Sequence, residues 1–368
     1  MPSEQPSAGV TPTPTVVDLL GPPPASGEEA EQALRRYFGT ATPACDETLK
    51  TRWDIVCADA DLDGDGKVDL ALLIPLAGPG LRSPDPAAVL VRRAAGTGFD
   101  RFPASRTEAD DSLIGREMFG TADRTGDTRP ELVYLTRSCT ASTCQARVEI
   151  QSWDGTAWRD VGPSDPGIEN LETASFTGAG SDSSLTLRGG HLTSLGAGPS
   201  RARTVTYRFD GARYAVTDAK QDSPEYLYHA ILDADALFQL EQFPEAIAAY
   251  RGAIDSPTLK DWKYEDEGHN GRAELYAYAL FRIAIATAAE GQNPTTALDQ
   301  VIMAAQDELF ERMAVAFRQG YQLGGSPQHG CLQVTSYLAT PPLPDRIDEM
   351  FDYGTANPGK STLDICPF

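Results

Sequence analysis

Basic side chains are scarce in this chain. Lys and Arg total 31 against 53 Asp and Glu in 368 residues, a formal net charge of −22. That balance excludes non-specific binding to phosphate backbones or anionic lipid surfaces, both of which need cations in excess. Long apolar runs are missing too: nothing approaches the roughly 18 uninterrupted apolar residues of a membrane-crossing helix. Histidine is limited to four positions, His191, His229, His269 and His329, isolated from one another, and no CxxC spacing occurs. Zinc ligation therefore lacks a framework. GxSxG, HExxH and GxGxxG motifs are all absent, and the chain is expected not to be an enzyme. Only a hydrolase working through paired carboxylates, which need no local motif, stays open as an alternative.

What is present suffices for a folded body. Apolar residues make up 41% of the sequence, and the length suits two or three domains. Six cysteines fall as three pairs near in sequence: Cys45 with Cys57, Cys139 with Cys144, and Cys331 with Cys366. An even count spaced in this way points to oxidation, with buried free thiols as the alternative. Cys139 and Cys144 flank the polar turn 140–143 and are placed to staple a hairpin. Residues 1–24 hold seven prolines among Ser, Thr and Gly and read as a flexible tether with no basic or apolar leader. A Thr-Pro tether ahead of a cysteine-paired body resembles the start of a mature bacterial lipoprotein or secreted protein. The resemblance implies an extracellular, cell-surface or periplasmic location, with any lipid anchor lost from this sequence.

Residues 25–222 read as a short helix followed by β-repeats. Ser26 to Glu29 has capping-box spacing, and Ala30, Ala33, Leu34, Tyr37 and Phe38 share a helical face that Gly39 ends. Short β-type runs follow, clearest at 70–76, 88–91, 132–135, 148–153 and 204–209. Two landmarks recur. Gly96, Gly155 and Gly211 each follow a strand-like run and precede an aromatic by three residues: Phe99, Trp158 and Tyr214. Ala60 to Leu70 aligns without gaps on Ala122 to Leu132, and a worn third copy begins at Ala174. Three units of roughly 55–60 residues are expected, with each ring packed between neighbouring sheets.

The strongest chemical signal is Asp61-Leu-Asp63-Gly-Asp65-Gly66-Lys67-Val-Asp69. Alternate carboxylates at positions 1, 3 and 5 of a turn can converge on one hard cation, with a backbone carbonyl at position 7. An EF-hand needs a bidentate acid at position 12, and that position is Leu72. The alternative is a solvated acidic turn. The pattern resembles the DxDxDGxxD loop of FG-GAP and VCBS repeats, which form integrin-type β-propellers. That resemblance spans about 45–220 and implies calcium held by Asp61, Asp63, Asp65, Asp69 and the Lys67 carbonyl. A weaker second loop keeps Asp123, Asp127 and Glu131, with Thr125 and Thr128 replacing an Asp and a Gly. Three units are fewer than the four to eight blades of a closed propeller. Either further blades have lost their signature or the sheets form a partial stack.

From residue 223 the period becomes helical. Helices are expected from the Ser223-Pro224-Glu225 cap, from Pro244, over 271–290 and over 294–318. Residues 234–254 resemble a tetratricopeptide repeat, with Ala234, Leu237, Phe243, Ala246, Tyr250, Ala253 and Ile254 at its packing positions, and 284–304 resemble a looser second one. The helical region is set at 223–322, and 323–368 as an irregular segment with a short helix. Residues 223–368 hold 21 acids and nine bases, which favours a neutral or basic ligand in any groove. The helices serve either as a peptide-binding groove or as a buttress. The acidic run Glu265-Asp266-Glu267 beside His269 reads as a solvated loop or a second cation site.

The expected fold class is thus α+β and multidomain, with propeller-like antiparallel repeats, complete or partial, before a tetratricopeptide-like helical region. The expected function is a secreted or surface-tethered calcium-binding module with a protein or glycan partner. A structural envelope component is the second reading.

Overall fold

The computed structural model describes residues 19–76, 87–102, 113–139, 143–165, 167–192, 196–263, 271–304 and 307–368. Residues 1–18 of the tether, the tip 140–142 of the stapled hairpin and the acidic run at 265–267 with His269 lie outside them. The chain divides into two compact units. One runs to Arg188 and takes back Val205–Ala219; the other comprises Gly189–Thr204 and Lys220–Phe368. The fold is α+β, with three antiparallel sheets and ten helices among the described residues, and no sheet there closes into a barrel.

The first unit opens with α1 (Gly27–Phe38), whose Ser26 cap accepts from Glu29 N at 3.2 Å. Helix α2 (Glu47–Trp53) follows, capped by Asp46, which accepts from Leu49 N at 2.9 Å. Three meanders come next, in sequential strand order. The first is β1 (Val56–Ala60), β2 (Asp69–Pro75), β3 (Ala87–Arg92) and β4 (Asp100–Phe102). The second is β5 (Leu113–Ala122), β6 (Glu131–Cys139), β7 (Cys144–Trp153) and β8 (Trp158–Asp160), with β9 (Ile168–Glu169) added beside β7. The third is β10 (Thr173–Thr177), β11 (Ser184–Gly189), β12 (Arg203–Phe209) and β13 (Tyr214–Gln221).

Strand alternation stacks these sheets. Leu70, Leu72 and Ile74 of β2 face α1 and α2, while Ala71 and Leu73 face Leu132 and Tyr134 of β6. Val133 and Leu135 turn the other way, onto Leu185, Leu187, Val205 and Tyr207 of the third sheet. Strands β2, β3 and β6 are thus buried on both faces, which is why the sequence shows continuous apolar runs there, while β12 of the third sheet alternates. Two of the three recurring aromatics sit in these seams, whereas Phe99 packs on the face covered by α1 and α2, because no sheet precedes the first. Trp158 meets Phe102 edge-on at 5.2 Å and donates to Asp100 Oδ2 at 3.0 Å. Tyr214 meets Phe176 at 5.9 Å and donates to the Arg124 carbonyl at 2.8 Å. The Asp before the turn glycine does unforeseen work in the last two copies. Asp154 accepts from Thr156 N and Ala157 N, and Asp210 from Ala212 N and Arg213 N, which closes each hairpin.

The second unit contains α3 (Leu227–Gln239), α4 (Phe243–Ile254), α5 (Gly271–Ala289), α6 (Thr295–Ala304), α7 (Glu308–Gly324), α8 (Pro327–Leu338), α9 (Leu343–Phe351) and α10 (Thr362–Ile365). Its core is built from its own residues, 227–366. Three sequence expectations need correction. Helix α3 starts at Leu227, two residues after Glu225, because the chain there first pairs with Lys260: Lys260 N donates to Glu225 O at 2.8 Å and Leu227 N to Lys260 O at 2.9 Å. The expected helix over 294–318 is two helices, since Asp307 caps α7 by accepting from Leu309 N. The segment 323–368 holds three helices, because Pro327 and Pro344 stand in first turns, where the missing N–H costs nothing.

All three cysteine pairs are disulfides: Cys45–Cys57, Cys139–Cys144 and Cys331–Cys366. Cys139 and Cys144 face each other in the β6–β7 register. Loop-closure entropy assigns roughly 2 kcal/mol to this five-residue separation and roughly 4 to the 35 residues between Cys331 and Cys366.

One glycine tests the packing between repeats. Gly126 has φ +86°, and a Cβ there lies 2.6 Å from Ser181 N. Gly21, at φ +73°, faces open space. Gly21→Ala should cost about 1 kcal/mol from its backbone conformation alone, and Gly126→Ala clearly more, as read by urea unfolding.

Candidate metal centre

Each sheet's first and second strands are joined by a loop, and the three loops lie side by side. Loop 61–68 joins β1 to β2, loop 123–130 joins β5 to β6, and the shorter 178–183 joins β10 to β11. A Cβ on Gly64 lies 3.0 Å from Arg129 Cδ, and Gly180 N donates to Asp123 O at 3.2 Å. The first two loops share one register frame: Ala60 pairs with Asp69, and Ala122 with Glu131.

In the first loop Asp61, Asp63 and Asp65 come together, each offering an oxygen within 4.8 Å of the others. The same carboxylates shape the turn. Asp61 Oδ2 accepts from Gly66 N at 2.9 Å, Asp63 Oδ1 from Asp65 N at 3.1 Å, and Asp65 Oδ1 from Lys67 N at 2.8 Å. Gly64 and Gly66 take φ of +75° and +81°, which lets the backbone curl inside the carboxylates. Asp61 Oδ1 is buried and accepts no hydrogen bond. Lys67 Nζ lies 3.4 Å from Asp65 Oδ2 on a largely exposed side chain, so it screens the cluster weakly.

Asp69 stands apart from those three. It is fully buried and accepts from Leu62 N at 2.9 Å and Ala94 N at 2.7 Å. Its carboxylate ties the loop to the end of β3. Burial pushes its pKa up, against the backbone amides that hold the charged form.

The second loop is built differently at the same positions. Both oxygens of Asp123 accept backbone amides, from Gly126 at 2.6 Å and Thr128 at 3.1 Å. Asp127 Oδ2 takes Nε and Nη2 of Arg129 at 3.1 and 2.8 Å. Glu131 is buried like Asp69 and accepts from Arg124 N, Thr125 N, Thr125 Oγ1 and Ser152 Oγ. Burial likewise raises its pKa. The carboxylates of this loop are all engaged by the protein itself.

Of the four acids the sequence singles out in the first loop, Asp61, Asp63 and Asp65 come together, while Asp69 turns inward, a role with no signature beyond its place at the head of a strand. A second group missed by the sequence is a buried charge cluster in the helical unit. Asp235, Arg282 and Lys360 meet there, with Lys360 Nζ 2.6 Å and Arg282 Nε 3.4 Å from the Asp235 carboxylate. No helix among the described residues is long and apolar enough to cross a membrane. Comparison with protein-family models, with curated proteins and with solved structures finds no match.

Asp69→Ala and Glu131→Ala should each cost about 1–3 kcal/mol, because each leaves buried donors unpaired. Urea unfolding in the presence of a chelator measures this; a loss confined to calcium-loaded protein would contradict the structural role.

Proposed function

We propose that this is an extracellular or periplasmic binding module whose β-repeats are rigidified by one calcium ion. The observation that carries the reading is Asp61, whose Oδ1 is buried without a hydrogen-bond partner and whose carboxylate lies within 4.8 Å of two others. A hard cation with a preference for oxygen answers that arrangement, and the excess negative charge of the loop favours a divalent one. Asp61, Asp63 and Asp65 would hold it, and Asp69 would support the loop from behind. The engaged carboxylates of the second loop favour one site over two.

The three disulfides fit an oxidising compartment. The repeated sheet, loop and aromatic turn agree with FG-GAP/VCBS-like repeats in a partial, propeller-like stack. Consecutive packing of the helices in the second unit agrees with a tetratricopeptide-like array. The role of the ion is structural: it adds no reaction, and the partner is a protein or glycan.

A ligand bound only by the folded state adds RT ln(1+[L]/Kd), about 2.7 kcal/mol at a hundredfold excess over Kd. Thermal melts should therefore rise from EDTA to excess calcium. Asp63→Ala should abolish most of the rise and Asp127→Ala little of it. Identical melts in all samples would end the calcium reading.

A further inference from the structure

Residues 353–368 leave α9 and cross the helical unit as an irregular strap that ends in the single turn α10. Tyr353 stacks on Tyr228 of α3 at 3.8 Å, and Tyr228 Oη donates to the Pro358 carbonyl at 2.6 Å. Lys360 Nζ donates to Asp235 Oδ2 at 2.6 Å, and both side chains are more than nine-tenths buried. Two residues on, the strap turns, and Arg282 Nη1 of α5 donates to the carbonyls of Asp364 and Ile365 at 3.4 and 3.3 Å. Phe368 then packs edge-on against Phe238 at 5.9 Å.

These contacts have the composition of a peptide-recognition site. One cation enters a carboxylate pocket, a guanidinium reads main-chain carbonyls, and aromatic rings hold one side chain at the far end. Part of the receiving site is held by the helices themselves: Tyr278 Oη donates to Asp235 Oδ1 at 2.8 Å, and Tyr250 donates to the same oxygen. Strap residues supply the remaining partner, at Oδ2. Its far end is fastened by Cys331–Cys366, across 35 residues of sequence. A tethered segment acts at an effective concentration of order millimolar, so an external peptide of the same chemistry is shut out.

We propose that the face formed by α3 and α5 is a recognition site for an irregular, lysine-bearing peptide segment, and that residues 353–368 occupy it as an internal ligand latched by the Cys331–Cys366 disulfide. The site belongs wholly to the helical unit and stands independently of the calcium reading.

The full-length chain carrying Cys331→Ala, Cys366→Ala and Lys360→Ala frees the strap while keeping the receiving groups. A fluorescein-labelled synthetic peptide of residues 353–368, itself carrying Cys366→Ala, is titrated into it and followed by anisotropy, with circular dichroism as the check on folding. Saturable binding is expected, at least tenfold tighter than for the same peptide with Lys360→Met, and none to the oxidised wild-type chain. A folded variant that ignores the peptide, or that binds both peptides equally, overturns the proposal. If that variant does not fold, hydrogen exchange on the Cys331→Ala, Cys366→Ala chain decides. Opening of 353–368 ahead of α5 supports the internal ligand, and equal protection of the two overturns it.

Discussion

The carboxylate at the head of the second strand in the first two sheets sets the geometry of their loops. Asp69 and Glu131 are the first residues of β2 and β6, and both are fully buried. A buried carboxylate is tolerated only where donors surround it, and here the donors are the amides of its own loop. Leu62 N is held by Asp69, and Arg124 N and Thr125 N by Glu131. The loop therefore closes around its last acid, and its earlier acids are turned to the opposite side. Convergence of Asp61, Asp63 and Asp65 is a consequence of that inward pull, since the strand register pins Ala60 to Asp69 at the loop's base.

Two loops of one length and one backbone frame then reach different electrostatic solutions. Thr125 takes the place of Asp63 and removes one negative charge. Arg129 takes the place of Lys67, and a planar guanidinium can set two donors on one carboxylate where an ammonium offers a single mobile charge. Arg129 does so on Asp127, whereas Lys67 stays largely exposed and only grazes Asp65. One loop carries its cation as a side chain; the other keeps three carboxylates facing one another, with a buried oxygen unpaired.

Much of this was legible in the sequence because it depends on short-range pattern. The gapless alignment of 60–70 on 122–132 marks real strand–loop–strand frames, and the Gly-x-x-aromatic landmark marks the seams between sheets at Trp158 and Tyr214. The cysteine pairs followed from proximity alone. What stayed hidden depends on contacts distant in sequence. Nothing near Glu225 announces Lys260 as its pairing partner, so the start of α3 was misplaced. Nothing near Asp235 announces Lys360. The helical content of 323–368 is hidden for a different reason: the segment is rich in Pro and Gly, yet in a first turn proline initiates a helix.

Helix α5 shows why the distant contacts of the helical unit are obligatory. From Ala277 to Ala286 every residue is buried, so the helix has neighbours on all sides and no polar face turned to water. Arg282 sits in the middle of that stretch, and its guanidinium has no route by which to snorkel out. Burial on this scale has to be matched by an opposite charge and by acceptors for the remaining N–H groups. Asp235 from α3 supplies the charge, at 3.4 Å, and the ring of Phe238 covers the guanidinium face at 3.7 Å. The main-chain carbonyls come from Asp364 and Ile365. Asp235 then needs a second cation for its other oxygen, and Lys360 provides it. Whatever lies across α3 and α5 must bring one ammonium and two free carbonyls at this spacing, which is a demand on chemistry and not only on shape.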